Sequence, residues 1–175
     1  DPMQVSRLME PLGRKFLEKP REAAMISMHL REPRNSLMQG IGQAMPVVGY
    51  GAAFQDEVRH HNDSGFTKRE VLAGHGFCLC PENSLFPGYY TEKIADAFSC
   101  DTLPISWCDE NVAVDFNPRA FINMLPYAGE GYGEAAKRLL EPRELRKYPD
   151  EPLINYEPNL AAITVFLRGV LQVLM

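Results

Sequence analysis

Residues 82–93 read Glu-Asn-Ser-Leu-Phe-Pro-Gly-Tyr-Tyr-Thr-Glu-Lys and hold the densest set of chemically capable groups in the chain. They follow an apolar run at 76–80 and precede a helix-like segment, so the stretch reads as a loop that leaves a buried strand and opens a helix. At such a point, free N–H groups and the positive end of the helix dipole would receive an anion. Lys93 adds a full cation in the first turn, where it opposes the dipole unless a negative group compensates it. Glu92 beside it can accept two hydroxyl hydrogens at once, as a carboxylate does when it fixes the 2′ and 3′ hydroxyls of a ribose. Arg34 repeats the signal, a cation at a helix start just after an earlier strand. Two cations at two helix starts describe a diphosphate clamp. The plainer reading is a solvated helix start at Glu92 and Lys93 with Asn83 and Ser84 as turn formers, and on composition alone both stay open.

The elements that would carry these residues alternate. Residues 24–30 form an apolar run of strand length, followed by the turn Arg31-Glu32-Pro33 and a helix-like spacing over 35–44. A second short strand is expected at 47–51 and a polar loop at 55–65. Thr67-Lys68-Arg69-Glu70 has the capping-box pattern and opens a helix to about Gly74. Strands follow at 76–80, 102–107 and 120–123, with helices from Thr91, as N-cap, to Ser99, over 131–140, and from Asn159 onward. Strands separated by helices imply a parallel sheet covered on both faces, because parallel neighbours need crossover connections. The expected class is therefore α/β with an open, doubly wound sheet. Ligands of such sheets sit beyond the carboxyl ends of the strands, which directs attention to the loops after Leu30, Cys80 and Trp107.

Length and composition bound the function. The 175 residues are 45% hydrophobic and 23% charged, enough for one sizeable core and too few for two full domains. A net charge of −5 provides no overall basic field for nucleic acid or an anionic membrane, which leaves only a local cationic pocket. The longest apolar stretch, 160–175, is broken by Arg168 and Gln172 and falls short of the roughly 20 residues that span a bilayer. No signal segment is visible, so the expected location is cytoplasmic, or peripheral to the membrane in a longer protein, and the Asp-Pro start reads as that of a trimmed piece. Cys78, Cys80, Cys100 and Cys108 match no zinc spacing and read as buried thiols of a reducing compartment. No metal site is expected. His29 and His75, beside apolar runs, read as satisfied structural histidines, and His60 and His61 as surface loop residues.

Four motifs carry a resemblance: Cys80-Pro81-Glu82-Asn83-Ser84, Tyr90-Thr91-Glu92-Lys93-Ile94, Leu103-Pro104-Ile105-x-Trp107, and Asp115-Phe116-Asn117-Pro118-Arg119-x-Phe121-Ile122-Asn123. In order and spacing the chain resembles the α-1,3/4-fucosyltransferases, most closely the bacterial enzymes that fucosylate lipopolysaccharide sugars. It departs from their pattern at Pro81, where the family has Phe, and at Ser106-Trp107-Cys108, where it has Tyr-Trp-Gly. The resemblance is strong over 24–123 and implies a Rossmann-like C-terminal donor-binding lobe of a two-lobed, GT-B type glycosyltransferase. The expected division is a helical lead-in at 1–23, a nucleotide-sugar-binding domain at 24–158 and an amphipathic helix at 159–175.

The resemblance further implies that Arg34 and Lys93 contact the diphosphate of GDP-fucose and stabilise the leaving group. It implies that Glu92 holds the ribose hydroxyls, that Asn83 and Tyr89 line the nucleotide-sugar pocket, and that Glu82 contacts the fucose. For Glu82 an equal alternative is a carboxylate that ties down the loop. Family members invert the anomeric centre, with a general base on the N-terminal lobe, so no catalytic base is expected in this chain and no metal or cofactor is obligatory. The implied acceptor is a glycan of the N-acetyllactosamine type, met through that other lobe. The alternative function is a non-catalytic nucleotide-sugar-binding module from a truncated or split homologue. Finally, Leu160, Ile163, Phe166, Leu167, Val170, Leu171 and Leu174 recur at helical spacing, and their apolar face is expected either to pack on Leu8, Met9, Leu12 and Phe16 or to drive self-association.

Overall fold

A computed structural model describes residues 2–54 and 67–157, together with positions 159, 161, 162, 164, 165 and 168. His60 and His61 and the apolar face of the terminal helix lie outside the described residues.

The strands are β1 (Ala23–Ile26), β2 (Val47–Tyr50), β3 (Phe77–Leu79), β4 (Leu103–Ser106) and β5 (Ile122–Asn123). All pair in parallel, in the order β2-β1-β3-β4-β5. The helices are α1 (Pro2–Met9), α2 (Lys15–Glu18), α3 (Arg34–Gly42), α4 (Lys68–Ala73), α5 (Lys93–Ser99), α6 (Tyr132–Leu139) and α7 (Pro142–Leu145). Packing sorts the larger ones into two groups, α3 with α6 and α1 and α4 with α5, so the sheet is doubly wound as the alternation implied.

The central strands are buried end to end, as strands covered on both faces must be. Leu37 and Ile41 of α3, Ile94, Ala97 and Phe98 of α5, and Ala135 and Ala136 of α6 close on them. Leu8, Leu12 and Phe16 belong to the same core. Pro104 sits inside β4, where a missing N–H normally breaks a ladder. Leu103 donates to Gly76 O at 3.0 Å and Ile105 O accepts from Cys80 at 2.8 Å, so these two residues face β3 and Pro104 faces the other way. On that side β5 begins to pair only at Ile105, and no ladder bond is lost.

Two helix starts differ from expectation. Thr67 caps α4 with the full reciprocal capping box, as its sequence implied. Thr91 does not cap α5: the helix begins at Lys93, Glu92 occupies the cap position without a side-chain capping bond, and the Thr91 hydroxyl is spent on Glu82. A buried carboxylate is the stronger partner for that hydroxyl, because it has no water to turn to. Helix α3 packs so closely on α6 that a Cβ on Gly40 would lie 2.5 Å from Tyr132 Cβ and 2.9 Å from the Tyr132 carbonyl carbon. Glycine is required there by proximity, and the contact fixes the helix whose first residue is Arg34.

Candidate functional site

The sheet order reverses between β1 and β3, since the chain leaves β1 towards β2 and returns to place β3 on the other side. Doubly wound sheets open a crevice at this point beyond the carboxyl ends of the strands. A pocket of about 210 Å³ occupies it, lined by Met25, Ile26 and Cys78–Pro81 from the strand ends and by Arg34, Lys68, Glu92 and Lys93 from the helices that follow.

The loop after β3 is organised from beneath by Glu82, whose side chain is 0% exposed. The Glu82 amide donates to Trp107 O at 3.0 Å, continuing the β3–β4 pairing past the strand end and turning the side chain inward. One carboxylate oxygen accepts the Thr91 amide at 2.8 Å and the Thr91 hydroxyl at 3.1 Å. The other accepts the same hydroxyl at 3.1 Å and the Lys93 ammonium at 2.8 Å. The residue expected at the fucose is thus committed to the chain itself, and it is absent from the pocket wall. The alternative reading of it, a carboxylate that ties the loop, describes these bonds.

Lys93 spends its remaining N–H groups on Pro81 O at 3.2 Å and Asn83 Oδ1 at 3.5 Å. Arg34 is 8% exposed at the start of α3. Its Nη2 donates to Asn83 Oδ1, and its Nη1 lies 3.0 Å from both ring nitrogens of His29. Asn83 therefore bridges the two cations, where turn formation or pocket lining was expected. Burial lowers the Arg34 proton affinity while Glu82 and Tyr89 act against that fall, which places Tyr89 within electrostatic reach of the guanidinium, although Tyr89 does not line the pocket. His29 is pushed below its ordinary value by burial and by Arg34 and Arg31, so it meets Arg34 as a neutral acceptor.

Glu92 projects outward, with its side chain 63% exposed, and Lys68 lies 3.4 Å from its Oε1 and 2.6 Å from Asp96 Oδ2. Burial raises the Glu92 carboxyl, but its own backbone amide, Lys68 and Lys93 outweigh burial and hold it below the usual range. Burial lowers the Lys68 ammonium, and the bonds and charges of Asp96 and Glu92 reverse this into a net rise.

The motif 115–123 serves architecture. Tyr90 donates to the Asp115 carboxylate, which with burial pushes the phenol up to about 12. Asn117 Nδ2 donates to Glu151 at 2.9 Å and to Pro152 O at 3.1 Å. Asn123 brackets Cys108, accepting its amide at 3.3 Å and donating to its carbonyl at 2.9 Å. Among the described residues, Asp101 is the one non-glycine with a positive φ, so Cys108 stands in the family's glycine position without strain. The four cysteines are free and buried. His75 is buried among Val71 O at 2.8 Å, Tyr50 at 3.3 Å and Glu22 at 3.3 Å, the satisfied structural residue expected of it. Among the described residues no group of three or more His, Cys, Asp or Glu converges as a metal site would require.

Arg34, Glu92 and Lys93 thus meet at one pocket, Asn83 and Glu82 stand behind them, and Tyr89 stays off the wall. Sequence reasoning passed over Lys68 and the role of His29. Lys68 carried the same signal as Arg34 and Lys93, a cation in the first turn of a helix directly after its N-cap.

A cation-lined crevice at the switch point of a doubly wound parallel sheet is the place where α/β domains of this class take their ligands. Comparison with known proteins narrows this: the C-terminal model of glycosyltransferase family 10, the fucosyltransferases, matches residues 17–141, and the chain belongs to that family. It is 35% identical over 119 residues to the alpha-(1,3)-fucosyltransferase FucT of Helicobacter pylori, covering 66% of this chain and 22% of that protein. A crystal structure of an alpha1,3-fucosyltransferase with GDP-fucose matches with a TM-score of 0.68 and 26% identity over 89% of this chain and 48% of that one. One with GDP matches at 0.65 and 28% over 90% and 48%. The chain therefore spans less than half the length of these solved structures and under a quarter of the curated relative.

Proposed function

We propose that this chain is the GDP-fucose-binding part of an inverting α-1,3/4-fucosyltransferase that passes L-fucose to a glycan of the N-acetyllactosamine type. The observation that carries the reading is the convergence of Arg34, Glu92 and Lys93 on one pocket at the switch point. Arg34 and Lys93 take the diphosphate and neutralise the charge that grows on the β-phosphate as the bond to C1 breaks, an effect of about 3 kcal/mol for one well-placed donor. Glu92 takes the ribose hydroxyls, and Glu82 and Asn83 hold the cations in place. The general base that deprotonates the acceptor hydroxyl lies outside these residues. No metal is needed where two cations already meet the leaving group. Four free buried thiols support a reducing, cytoplasmic setting, and among the described residues no helix is long and apolar enough to cross a membrane.

Titration calorimetry with GDP and GDP-fucose tests the reading. Binding is expected, weakened at least tenfold by Arg34→Gln, whereas absent binding or an unchanged affinity overturns the site. Arg34 is the cleaner probe, because removing Lys93 strands the buried charge of Glu82 and disturbs the fold as well. Transfer of labelled fucose to N-acetyllactosamine by the 175-residue chain is expected to be nil, and robust turnover would prove the placement of the base wrong.

A further inference from the structure

Glu92 is held by its own backbone amide and, across the pocket edge, by Lys68. The Glu92 side chain is 63% exposed and makes no capping bond to α5. Without the Lys68 contact, an exposed glutamate of this kind would spread over several rotamers, and ordering it on a ligand would cost side-chain entropy at that moment. Asp96 lies four residues on, so both carboxylates rise from one side of α5, where like charges at this spacing repel. The cation between them comes from another helix. Lys68, at the first position of α4, reaches across to Asp96 Oδ2 at 2.6 Å and to Glu92 Oε1 at 3.4 Å while lining the pocket itself. The short contact anchors the ammonium, and the longer one restrains the carboxylate through a single oxygen. The other oxygen of Glu92 is left out of this contact.

We propose that Lys68 is a positioning residue that orients Glu92 for a ribose and thereby sets the preference of the pocket for ribonucleotides over deoxyribonucleotides. The proposal rests on the reading of Glu92 as the ribose contact. The mechanism is indirect: the ammonium anchored on Asp96 holds one carboxylate oxygen, which narrows the rotamers of Glu92 and turns its pair of acceptors towards the two adjacent hydroxyls of the sugar. A direct contact of Lys68 with phosphate would behave differently, because it would act on every nucleoside diphosphate alike.

Calorimetry with GDP and 2′-deoxy-GDP on the whole chain separates these cases. The wild-type protein is expected to prefer GDP on the order of tenfold, the value of one lost charged hydrogen bond. Lys68→Met is expected to weaken GDP several-fold and 2′-deoxy-GDP, which keeps only the 3′ hydroxyl, by clearly less, so that the preference shrinks. Lys68→Arg is expected to restore most of it. Asp96→Asn, which loosens the anchor without touching the pocket wall, is expected to reduce the preference in the same way, and retained thermal unfolding in each variant shows that the fold persists. An equal loss for both nucleotides with the preference intact, or no change at all, overturns the role of Lys68 and leaves the ribose reading standing. A wild-type protein that binds GDP without any preference overturns the ribose reading and this proposal with it.

Discussion

Replacing Glu82 by Gln keeps the shape of the side chain and removes its charge, and its consequence can be worked from the four contacts around the carboxylate. The acid offers acceptors on both sides, to the Thr91 amide and hydroxyl and to the Lys93 ammonium. Gln has one carbonyl oxygen. If it serves the Thr91 amide, the NH2 group faces the Lys93 ammonium, and if it serves Lys93, the NH2 group faces the amide. The Thr91 hydroxyl can rotate to accept from the new donor, so one charge-assisted bond is lost, worth about 1.5–3 kcal/mol. The upper figure for a broken buried pair, about 3–5 kcal/mol, does not apply, because the Lys93 side chain is 25% exposed and can turn part of its charge to water. An expected loss of about 2 kcal/mol corresponds to a fall in Tm of roughly 4–8 °C for a domain of this size. Urea unfolding followed by circular dichroism, beside a thermal melt, measures both. Glu92→Gln on the exposed carboxylate is the control, and it is expected to stay within about 0.5 kcal/mol of wild type. A Glu82→Gln protein that melts within 1 °C of wild type, at roughly 2–4 °C per kcal/mol, and loses only GDP-fucose affinity would refute this account and return Glu82 to the donor.

Two further outcomes are expected. Gly40→Ala drives a methyl group into the backbone of α6, so it should cost about 1–3 kcal/mol and weaken GDP through displaced Arg34, whereas Gly42→Ala, with nothing within 4 Å of its new Cβ, should be neutral or slightly stabilising. His29 has a folded pKa below its ordinary value, so the unfolded chain takes up the proton first as pH falls below about 6.5. The advantage of wild type over His29→Asn should therefore be present at pH 7.5 and shrink towards pH 5.5, as chemical unfolding at both values would read, while a constant difference would show that the imidazole does not meet Arg34 as a neutral acceptor.

Periodicity and end signals made the α/β alternation, the capped start of α4 and the parallel sheet legible in the residues. Arg34 and Lys93 were legible because a cation that opposes its own helix dipole stands out against local expectation, and Glu92 because a carboxylate beside such a cation can accept two hydroxyls at once. What local pattern cannot express is competition at a distance. Thr91 looks like an N-cap until Glu82, nine residues earlier, is folded beneath it. Asn83 looks like a turn former until Arg34, 49 residues away, is brought against it by the order of strands. The His29 contact is short in sequence but depends on the path of the chain after β1. Lys68 could have been singled out by the rule that chose the other cations, and the strength of the capping box beside it drew the reading towards helix initiation alone.

Each cation at the pocket already has a partner of its own chain: Arg34 has His29 and Asn83, Lys93 has Glu82, and Lys68 has Asp96. A site of bare, repelling charges would grip a diphosphate hard and release it slowly. Here Lys93 and Lys68 are ion-paired and Arg34 is hydrogen-bonded before the ligand arrives, so the departing nucleotide leaves behind a weaker field than bare charges would. On the proposed reading, that lowers ground-state affinity for the product and shortens its residence, and residence time is the quantity that limits many transferases once the chemical step is fast.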